Sequence, residues 1–176
     1  MKETDIIEAL RDERRRESAF RIVVDTYGER LYWQIRRIVV THEDANDVLQ
    51  NTFIKAWTAL DNFRADAKMS TWLYRIACNE ALSHLERQRT TLSIHDTNLC
   101  LQLQQDPYFD GDQTQLRLQE AIATLPDKQR LVFNLKYYDE MKYEDMSQIL
   151  GTSTGALKAS YHHAVKKISQ FFKQFD

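Results

Sequence analysis

YEDMSQILGTSTGALK, at residues 143–158, predicts two helices joined by a glycine turn. Apolar residues recur at helical spacing in its first half, and two acids in the first turn suit the positive end of a helix dipole. Gly151 follows the last apolar residue, where a left-handed residue would end a helix, and Ser153 or Thr154 can cap the next one. The stretch is therefore typical of a helix-turn-helix, whose second helix can enter the major groove of DNA.

The second predicted helix runs to about Phe172 and has two unlike faces. One face is apolar, and a mildly basic one includes Lys158, His162, His163 and Lys166. Such a face can contact a DNA groove. An ordinary helical hairpin with a solvated lysine face explains the same residues, so this stretch alone leaves both interpretations open.

The composition favours a helical protein. Four glycines and two prolines are few for 176 residues, which argues against a turn-rich β fold. No apolar run is long enough to span a bilayer, and the densely charged N-terminal residues lack the apolar core of a signal peptide. We therefore expect a cytoplasmic protein with no membrane insertion.

The sequence shows no motif for catalysis or metal binding. There is no phosphate-cradling glycine loop, nucleophile elbow or metal-ligand set, so we expect neither an enzyme nor a cofactor. Cys78 and Cys100 have no Cys-x-x-Cys spacing, which indicates reduced thiols and, for Cys78, a buried inert side chain. His162 and His163 are adjacent, and neighbouring residues on a helix diverge too far to hold one metal ion easily.

Charge is unevenly distributed along the chain. Residues 90–127 have one Lys or Arg against six Asp or Glu, whereas residues 128–176 have eight against five. The net charge of the whole chain is −2. Bulk positive charge is thus absent, and DNA binding has to depend on a local surface.

Residues 1–89 predict a first helical module with three main helices. The first covers 20–39, and the third, after a loop, runs from 70 to about 87. Between them, Thr41 can cap a helix with Asp44 as a capping-box-like acid. The outer side of that helix is polar, with Asp47, Gln50, Asn51 and Lys55.

The remainder of the chain predicts a linker and a second module. Residues 90–114 are polar and do not sustain a helical period, which indicates a flexible acidic linker. From residue 115 the helical pattern returns, and Pro126 can open a new helix at its first turn. The expected fold is therefore all-α, with two small helical domains at 1–89 and 115–176.

Three ordered blocks of sequence resemble the sigma factors of bacterial RNA polymerase, of the extracytoplasmic-function (ECF) type that has only regions 2 and 4. The first block is EDANDVLQNTFIKAW at 43–57, and the second is FR at 63–64 with STWLYRIACN at 70–79. The third runs from Leu125 through Ala164. The resemblance implies a region 2 domain at 1–89 and a helix-turn-helix region 4 domain at 115–176.

In the family, the first block is the docking helix for the clamp coiled coil of the polymerase largest subunit. The resemblance therefore implies Asp47, Gln50 and Asn51 as contact residues, with Asp44 nearby. Without the other blocks, a solvated helix face would explain the same residues.

The second block corresponds to the part of a sigma factor that recognises the promoter minus-ten element and traps melted bases. Trp72 and Tyr74 offer flat surfaces for stacking, although aromatic residues at the start of a helix are more often core. The other implied DNA contacts, to phosphates or base edges, are Arg64, Lys68, Ser70, Thr71, Arg75 and Asn79.

The third block implies that the protein reads the minus-thirty-five element as duplex DNA. Many relatives have Lys-Ser-Arg at its reading helix, where this chain has Lys158, Ala159 and Ser160. Fewer cations should weaken phosphate attraction and alter base preference. The implied contacts are Thr154, Lys158, Ala159, His162, His163 and Lys166.

The resemblance as a whole implies a non-enzymatic promoter-specificity subunit. Its partners would be core RNA polymerase, through the clamp and the flap on the minus-thirty-five side, and promoter DNA, both duplex and single-stranded. An anti-sigma factor is a further expected partner. Two other classes fit a helix-turn-helix protein: a self-sufficient repressor or activator, which normally dimerises on paired half-sites, and a helical adaptor that imitates a sigma factor without starting transcription.

Overall fold

The computed structural model describes residues 1–91 and 111–175, and within these ranges the chain forms eight α-helices. The predicted all-α class is confirmed. The N-terminal helices are α1 (Glu3–Arg11), α2 (Arg16–Val39), α3 (His42–Thr58) and α4 (Met69–Thr91). The C-terminal helices are α5 (Gln113–Ala123), α6 (Asp127–Tyr137), α7 (Tyr143–Leu150) and α8 (Thr154–Lys173).

The predicted caps at Thr41, Gly151 and Ser153 are formed, whereas the Asp44 carboxylate contacts α4 and does not complete a capping box. Thr41 caps α3, because its hydroxyl accepts a hydrogen bond from the Asp44 N–H at 3.2 Å. Gly151 ends α7 in the left-handed conformation, with φ +64°. Ser153 then caps α8 by accepting from the Ala156 N–H at 3.2 Å. The two-residue gap between Gly151 and α8 is therefore a turn with defined hydrogen bonds at both ends.

Most of the predicted linker at 90–114 lies outside the described residues. At its edges, α4 continues to Thr91 and α5 already begins at Gln113. Asp112 caps α5 by accepting from the Gln115 N–H at 2.9 Å, so the helix begins two residues before the predicted start.

The N-terminal helices bury one apolar core. α2, α3 and α4 pack against one another, and α1 packs on α2. Leu31 and Ile35 from α2 belong to this core together with Leu73 and Ala77 from α4, and all four are almost completely buried. Cys78 belongs to the same core and is buried, as predicted. Burial raises the pKa of its thiol to about 12.

The C-terminal helices have a small core of their own, formed where α8 crosses α5 and α6. Ile122, Leu125 and Phe133 pack there against Ala164 and Ile168. These α8 residues lie on the apolar face that the sequence predicts.

The two groups of helices also pack against each other. α6 lies on α2, and α7 lies on α4. Leu135, Met146, Ile149 and Leu157 from the C-terminal part belong to the same continuous apolar cluster as the α2 and α4 residues. Whether the modules sit apart or together could not be predicted from sequence, and in the structure they share a core. Within the described ranges, no helix is long and apolar enough to cross a membrane.

Candidate polymerase and nucleic-acid interfaces

The outer face of α3 is a continuous exposed surface. Asp47, Gln50 and Asn51 are all exposed, as predicted. Ile54 lies one turn further along the same face, because positions three, four and seven apart share one side of a helix. Its side chain is 62% exposed, which is unusual for isoleucine. We call Asp47, Gln50, Asn51 and Ile54 the α3 face.

Asp44 differs from its neighbours on α3 because it is engaged within the protein. Its carboxylate accepts a hydrogen bond from Gln88 Nε2 at 2.9 Å and lies 3.4 Å from His84 Nε2. Gln88 and His84 both belong to α4. This arrangement makes Asp44 a residue that positions α3 on α4, with its carboxylate turned toward α4.

A cavity of about 400 Å³ opens where the loop before α4 meets the start of that helix. The rings of Phe63 and Trp72 form one wall, with centroids 4.8 Å apart. Four predicted DNA-contacting residues line this cavity, which we call the loop pocket: Arg64, Thr71, Trp72 and Arg75. Gln148 of α7 also lines it. Aromatic rings, guanidinium groups and a hydroxyl around one open cavity can stack on, charge-pair with and hydrogen-bond an unstacked base.

A second cavity, of about 270 Å³, lies between the two groups of helices. Lys68, Ser70 and Tyr74 line it from the α4 side, and Asp139 and Lys142 line it from the C-terminal side. We call it the interdomain cleft. Seven of the eight predicted minus-ten residues thus line one or other of two neighbouring cavities, and Thr71 lines both.

Tyr74 is placed differently from the expectation that its ring would be available for stacking. Only 2% of the residue is exposed. Burial raises the pKa of its phenol to about 12, and the Arg30 guanidinium lies 5.6 Å from its ring centroid. In this arrangement Tyr74 belongs to the core between α2, α4 and the loop after α6. Of the two predicted rings, the half-buried Trp72 is therefore the one beside an open cavity.

Asn79 lies outside the residues that line the loop pocket. It is exposed on α4, one turn beyond Arg75, which is exposed too. Side chains four residues apart share a helix face, so Asn79 extends the pocket's polar rim along α4.

The predicted DNA-reading face of α8 is exposed. Lys158, Ala159, His162, His163 and Lys166 all lie at the surface, and Thr154 is half-buried in the first turn. Leu157, Ala164 and Ile168 hold the opposite side in the core. Lys158 Nζ also lies 5.7 Å from the Tyr143 ring centroid, which adds a weak cation–π contact between the start of α8 and α7.

Sequence reasoning missed three residues that matter at these surfaces. Ile54 could have been found, since it follows Asp47 by two helical turns. Asp139 and Gln148 had no local signal, because each is significant only through contact with residues that lie far away in the sequence.

Family models for sigma-70 factors match both parts of the chain. The model for Sigma-70 region 2 matches residues 23–91, and that for Sigma-70 region 4 matches residues 115–168. The first match includes the α3 face and the loop pocket residues of α4. The second includes the helix-turn-helix.

Curated proteins and solved structures agree with this match. The chain is 29% identical over 158 residues to the ECF RNA polymerase sigma factor SigW of Bacillus subtilis, with 83% of this chain and 84% of that protein covered. The fold is similar to that of CnrH in complex with the cytosolic domain of CnrY, with TM-score 0.73, 23% identity and 99% of each chain covered. It is also similar to the sigma factor RpoE in complex with the anti-sigma factor NepR from Bartonella quintana, with TM-score 0.67, 23% identity, and 88% of this chain and 96% of that chain covered.

Proposed function

The chain belongs to the sigma-70 family as a sigma factor of the ECF type, and from this premise we propose how its residues divide the work of promoter-specific initiation. A sigma factor of this family is not an enzyme: it binds core RNA polymerase and directs it to promoters. The observation behind our assignment is that three chemically different surfaces lie on three separate elements. They are the α3 face, the loop pocket and the exposed face of α8.

The proposed division of the chain has three parts. Residues 1–89 form region 2, which docks on polymerase and captures the minus-ten element. Residues 115–176 form region 4, which reads the minus-thirty-five element. Residues 90–114 join them as an acidic linker. The two family matches, at residues 23–91 and 115–168, support a division into two domains, although α4 and α5 each extend two residues into the segment 90–114.

The α3 face docks on the clamp coiled coil of the polymerase largest subunit. Its polar residues offer hydrogen bonds, and Ile54 adds an exposed apolar surface beside them. A protein interface gains most from apolar groups that become fully buried at its centre. Asp44 acts indirectly by holding α3 on α4 through Gln88.

The loop pocket receives an unpaired base of the minus-ten element. Trp72 and Phe63 provide a surface for stacking, which is worth roughly 1–3 kcal/mol per base in single-strand binding. Arg64, Arg75 and Lys68 are exposed and can attract the backbone phosphates. Ser70, Thr71 and Asn79 supply hydrogen bonds to base edges.

The exposed face of α8 reads duplex DNA at the minus-thirty-five element, with the flap of the polymerase supporting region 4. Only two of the predicted contacts on this face, Lys158 and Lys166, are lysine or arginine, so the face has little fixed positive charge. Phosphate attraction should therefore be weak for the isolated protein, and polymerase has to contribute much of the affinity. Ala159 leaves room at the centre of the face for a base-pair edge.

Two further parts of the proposal concern the protein's surroundings. Its polymerase and promoter are cytoplasmic in bacteria, so we place the protein in the cytoplasm. An anti-sigma factor is a proposed partner, because RpoE, a structural neighbour, is a sigma factor in complex with one.

Reconstituted transcription tests the proposed function. Core polymerase, this protein and a promoter library should yield selective RNA products, and active core with folded protein but no selective product would refute the proposal. Tight promoter binding without polymerase would favour a self-sufficient regulator. Binding to core polymerase without RNA synthesis would favour an adaptor.

Paired substitutions then separate the surfaces. Asp47→Ala with Gln50→Ala should weaken binding to core polymerase, whereas Lys158→Ala with His163→Ala should spare it and reduce promoter selection. If both pairs reduce core binding equally, the assignment of α3 to docking and α8 to DNA is wrong.

A further inference from the structure

The loop before α4, residues 63–68, forms one side of the loop pocket but has little packing of its own. Phe63 is half-buried against Trp72, whereas the other five residues of the loop are exposed. An exposed segment has few buried contacts to fix its path, so its placement depends on how its two ends are held. Both ends are held by residues near the start of the chain.

The C-terminal end of the loop is held by α1. The Met69 N–H, the first amide of α4, donates a hydrogen bond to Glu3 Oε1 at 2.8 Å. An N–H in the first turn has no acceptor within its own helix, and Lys68, the residue before α4, has only donor atoms in its side chain. Glu3 therefore caps α4 from a separate helix.

Glu3 is itself fixed in place. The residue is half-buried, and the Tyr27 hydroxyl of α2 donates a hydrogen bond to its carboxylate. Burial and the negative charge of Glu3 raise the pKa of the Tyr27 phenol, so the phenol stays protonated and remains a donor near neutral pH. Three helices, α1, α2 and α4, thus meet at one carboxylate.

The N-terminal end of the loop is held by Arg16, in the first turn of α2. Its Nη2 donates to Asp61 Oδ1 at 2.8 Å, and its Nε donates to the Leu10 carbonyl at 2.9 Å. Asp61 belongs to the short 3-10 turn Leu60–Asn62 that leads into the loop. One guanidinium therefore joins the end of α1 to the beginning of the loop. The Asp61 side chain is 76% exposed, so this ion pair adds little to the stability of the whole protein, and its effect is on local geometry.

The helix α1 also lies behind the wall of the loop pocket. A cavity of about 200 Å³ separates α1 from the 3-10 turn, with Ile7 and Leu10 on one side and Leu60 on the other. Phe63 lines both this cavity and the loop pocket. A displacement of α1 would therefore reach a ring on which we expect a base to stack.

We propose that Glu3 and Arg16 form a clasp that holds the loop in the shape that receives a base, and that the clasp thereby sets how tightly the base is captured. Both are positioning residues, since neither lines the loop pocket. The clasp acts by preforming the pocket, because a preformed site does not have to be ordered when its ligand binds. The proposal rests on the proposed function for the identity of that ligand, an unpaired base. Both residues precede the segment 23–91 that the Sigma-70 region 2 model matches, so the family match does not point to them.

Amide hydrogen exchange tests the clasp without polymerase or DNA. Glu3→Ala removes the acceptor of the Met69 N–H, so exchange at this amide should become roughly tenfold faster or more. Glu3→Gln keeps a side-chain carbonyl oxygen that can accept the same hydrogen bond, and it should retain most of the protection. Glu8→Ala, at an exposed glutamate of the same helix, should exchange at the wild-type rate.

Abasic DNA tests what the clasp does for base capture. Core polymerase with the wild-type protein is bound to a promoter selected from the library and opened by mismatches over the minus-ten element. Each minus-ten nucleotide is then replaced in turn by an abasic one. At the captured nucleotide, loss of the base should weaken binding roughly fivefold or more, since stacking on an aromatic ring contributes at least that much. Trp72→Ala should remove this abasic penalty.

The clasp variants should remove the same penalty without weakening polymerase docking. Glu3→Ala and Arg16→Ala should bind intact and abasic DNA within about twofold of each other, whereas Glu3→Gln should keep the wild-type penalty. Arg21→Ala, a matched control at an exposed arginine of α2, should keep it as well. Affinity for core polymerase should be unchanged in all four variants, and a general loss of folding would not leave it unchanged.

Two results would overturn the clasp. One is that folded Glu3→Ala and Arg16→Ala proteins keep the full abasic penalty of the wild type. The other is that Glu3→Ala leaves the Met69 amide as protected as in the wild type. If Glu3→Ala loses its helical circular dichroism, Arg16→Ala, which removes the other anchor, decides by the same abasic comparison.

Failure of the proposed function gives a different result. If no abasic position weakens binding of the wild type, the loop pocket does not capture a base, and the role of the clasp in capture fails with it. Amide exchange at Met69 still shows in that case whether Glu3 holds the end of the loop. When the clasp alone is wrong, the wild type has the abasic penalty and the clasp variants keep it.

Discussion

Asp139 lies at the contact between the two modules, with Oδ1 3.4 Å from Arg37 Nη1, and its carboxylate has an unfavourable setting. Burial raises its pKa, and this effect outweighs the attraction of Arg37 and Arg30. A buried ion pair often costs more in desolvation than it returns in attraction. Apolar packing therefore stabilises the interface, and ionised Asp139 reduces that stability. The other charged or titratable groups around the cleft are Lys68, Tyr74, Glu140, Lys142 and Asp145.

Asp139 predicts a defined pH dependence. Because the pKa of Asp139 is raised in the folded state, folding favours the protonated carboxyl group. The ionised carboxylate therefore lowers the stability of the folded protein by the full amount at pH values above the folded-state pKa. This loss of stability declines as the pH falls toward the ordinary carboxyl pKa. Asp139→Asn removes this titration. The melting temperature of Asp139→Asn should exceed that of wild type at pH 7, and the difference should shrink on acidification.

The control for this pH series is Glu140→Gln, a neutralised carboxyl that is exposed one residue along. It should melt in parallel with wild type across the same pH range. Parallel melting of Asp139→Asn and wild type would show that Asp139 does not contribute the predicted dependence.

Ile54 predicts an effect on binding that is separate from stability. Ile54→Ser changes an exposed side chain, so the free energy of unfolding should change by less than about 0.5 kcal/mol. Affinity for a clamp coiled-coil fragment should fall roughly fivefold or more if the side chain becomes buried, since hot-spot truncations cost more than 1 kcal/mol. Titration calorimetry measures this affinity.

Val165→Ser is the matched control, because Val165 is an aliphatic residue that is 39% exposed on a different helix. It should leave binding to the clamp fragment unchanged. If both variants lose the same amount of affinity for the clamp fragment, the effect is a general surface effect, and Ile54 does not contribute to docking by the α3 face.

The exposure of some site residues could be predicted from the sequence, and that of others could not. Asp47, Gln50 and Asn51 could be placed on the surface, because helical periodicity separates them from the apolar stripe. The burial of Tyr74 could not be judged in the same way, because its surroundings include Asp139, which lines the same cleft from 65 positions further along the chain. Long-range contacts of this kind leave no local pattern in a single sequence.

At the scale of elements, the helix-turn-helix shows why helix ends were predictable. Ser153 satisfies an N–H at the start of α8 that the helix itself cannot satisfy. Gly151 adopts φ +64°, which costs a residue with a side chain more than it costs glycine. Both requirements act over three or four residues, so sequence alone reveals them.

The Ser153 cap predicts a measurable loss. Ser153→Ala should lower the free energy of unfolding by about 1 kcal/mol, the usual cost of removing a capping hydroxyl. Ser169→Ala, at an exposed position in the last two turns of α8, should be neutral or slightly stabilising, because alanine favours helices. Urea unfolding followed by circular dichroism compares them.

A Ser153→Ala variant as stable as wild type would mean that water replaces the cap without cost. In that case the start of α8 would be held by its packing on α7 alone.

At the scale of the whole molecule, the shared core implies that regions 2 and 4 unfold together in the free chain. Leu135, Met146 and Ile149 pack into the same cluster as Leu31 and Leu73. Two domains that share a buried interface gain cooperativity from it, whereas independent domains unfold separately. Scanning calorimetry of the wild type should show one transition.

Arg130 gives the corresponding prediction. Its guanidinium donates to the Ile38 carbonyl of one module and to the Ala123 carbonyl of the other, at 3.1 and 2.7 Å. Arg130→Ala leaves both carbonyls without this donor, at a cost of roughly 1–3 kcal/mol for a buried group, and the loss falls on the contact between modules. We therefore expect the single calorimetric transition to separate into two, with region 4 melting first because its own core is smaller.

Arg14→Ala, at an exposed arginine of region 2, should keep one transition. If Arg130→Ala shows a single transition at a lower temperature, apolar packing alone couples the modules. If the wild type already shows two transitions, the shared core does not couple the modules at all.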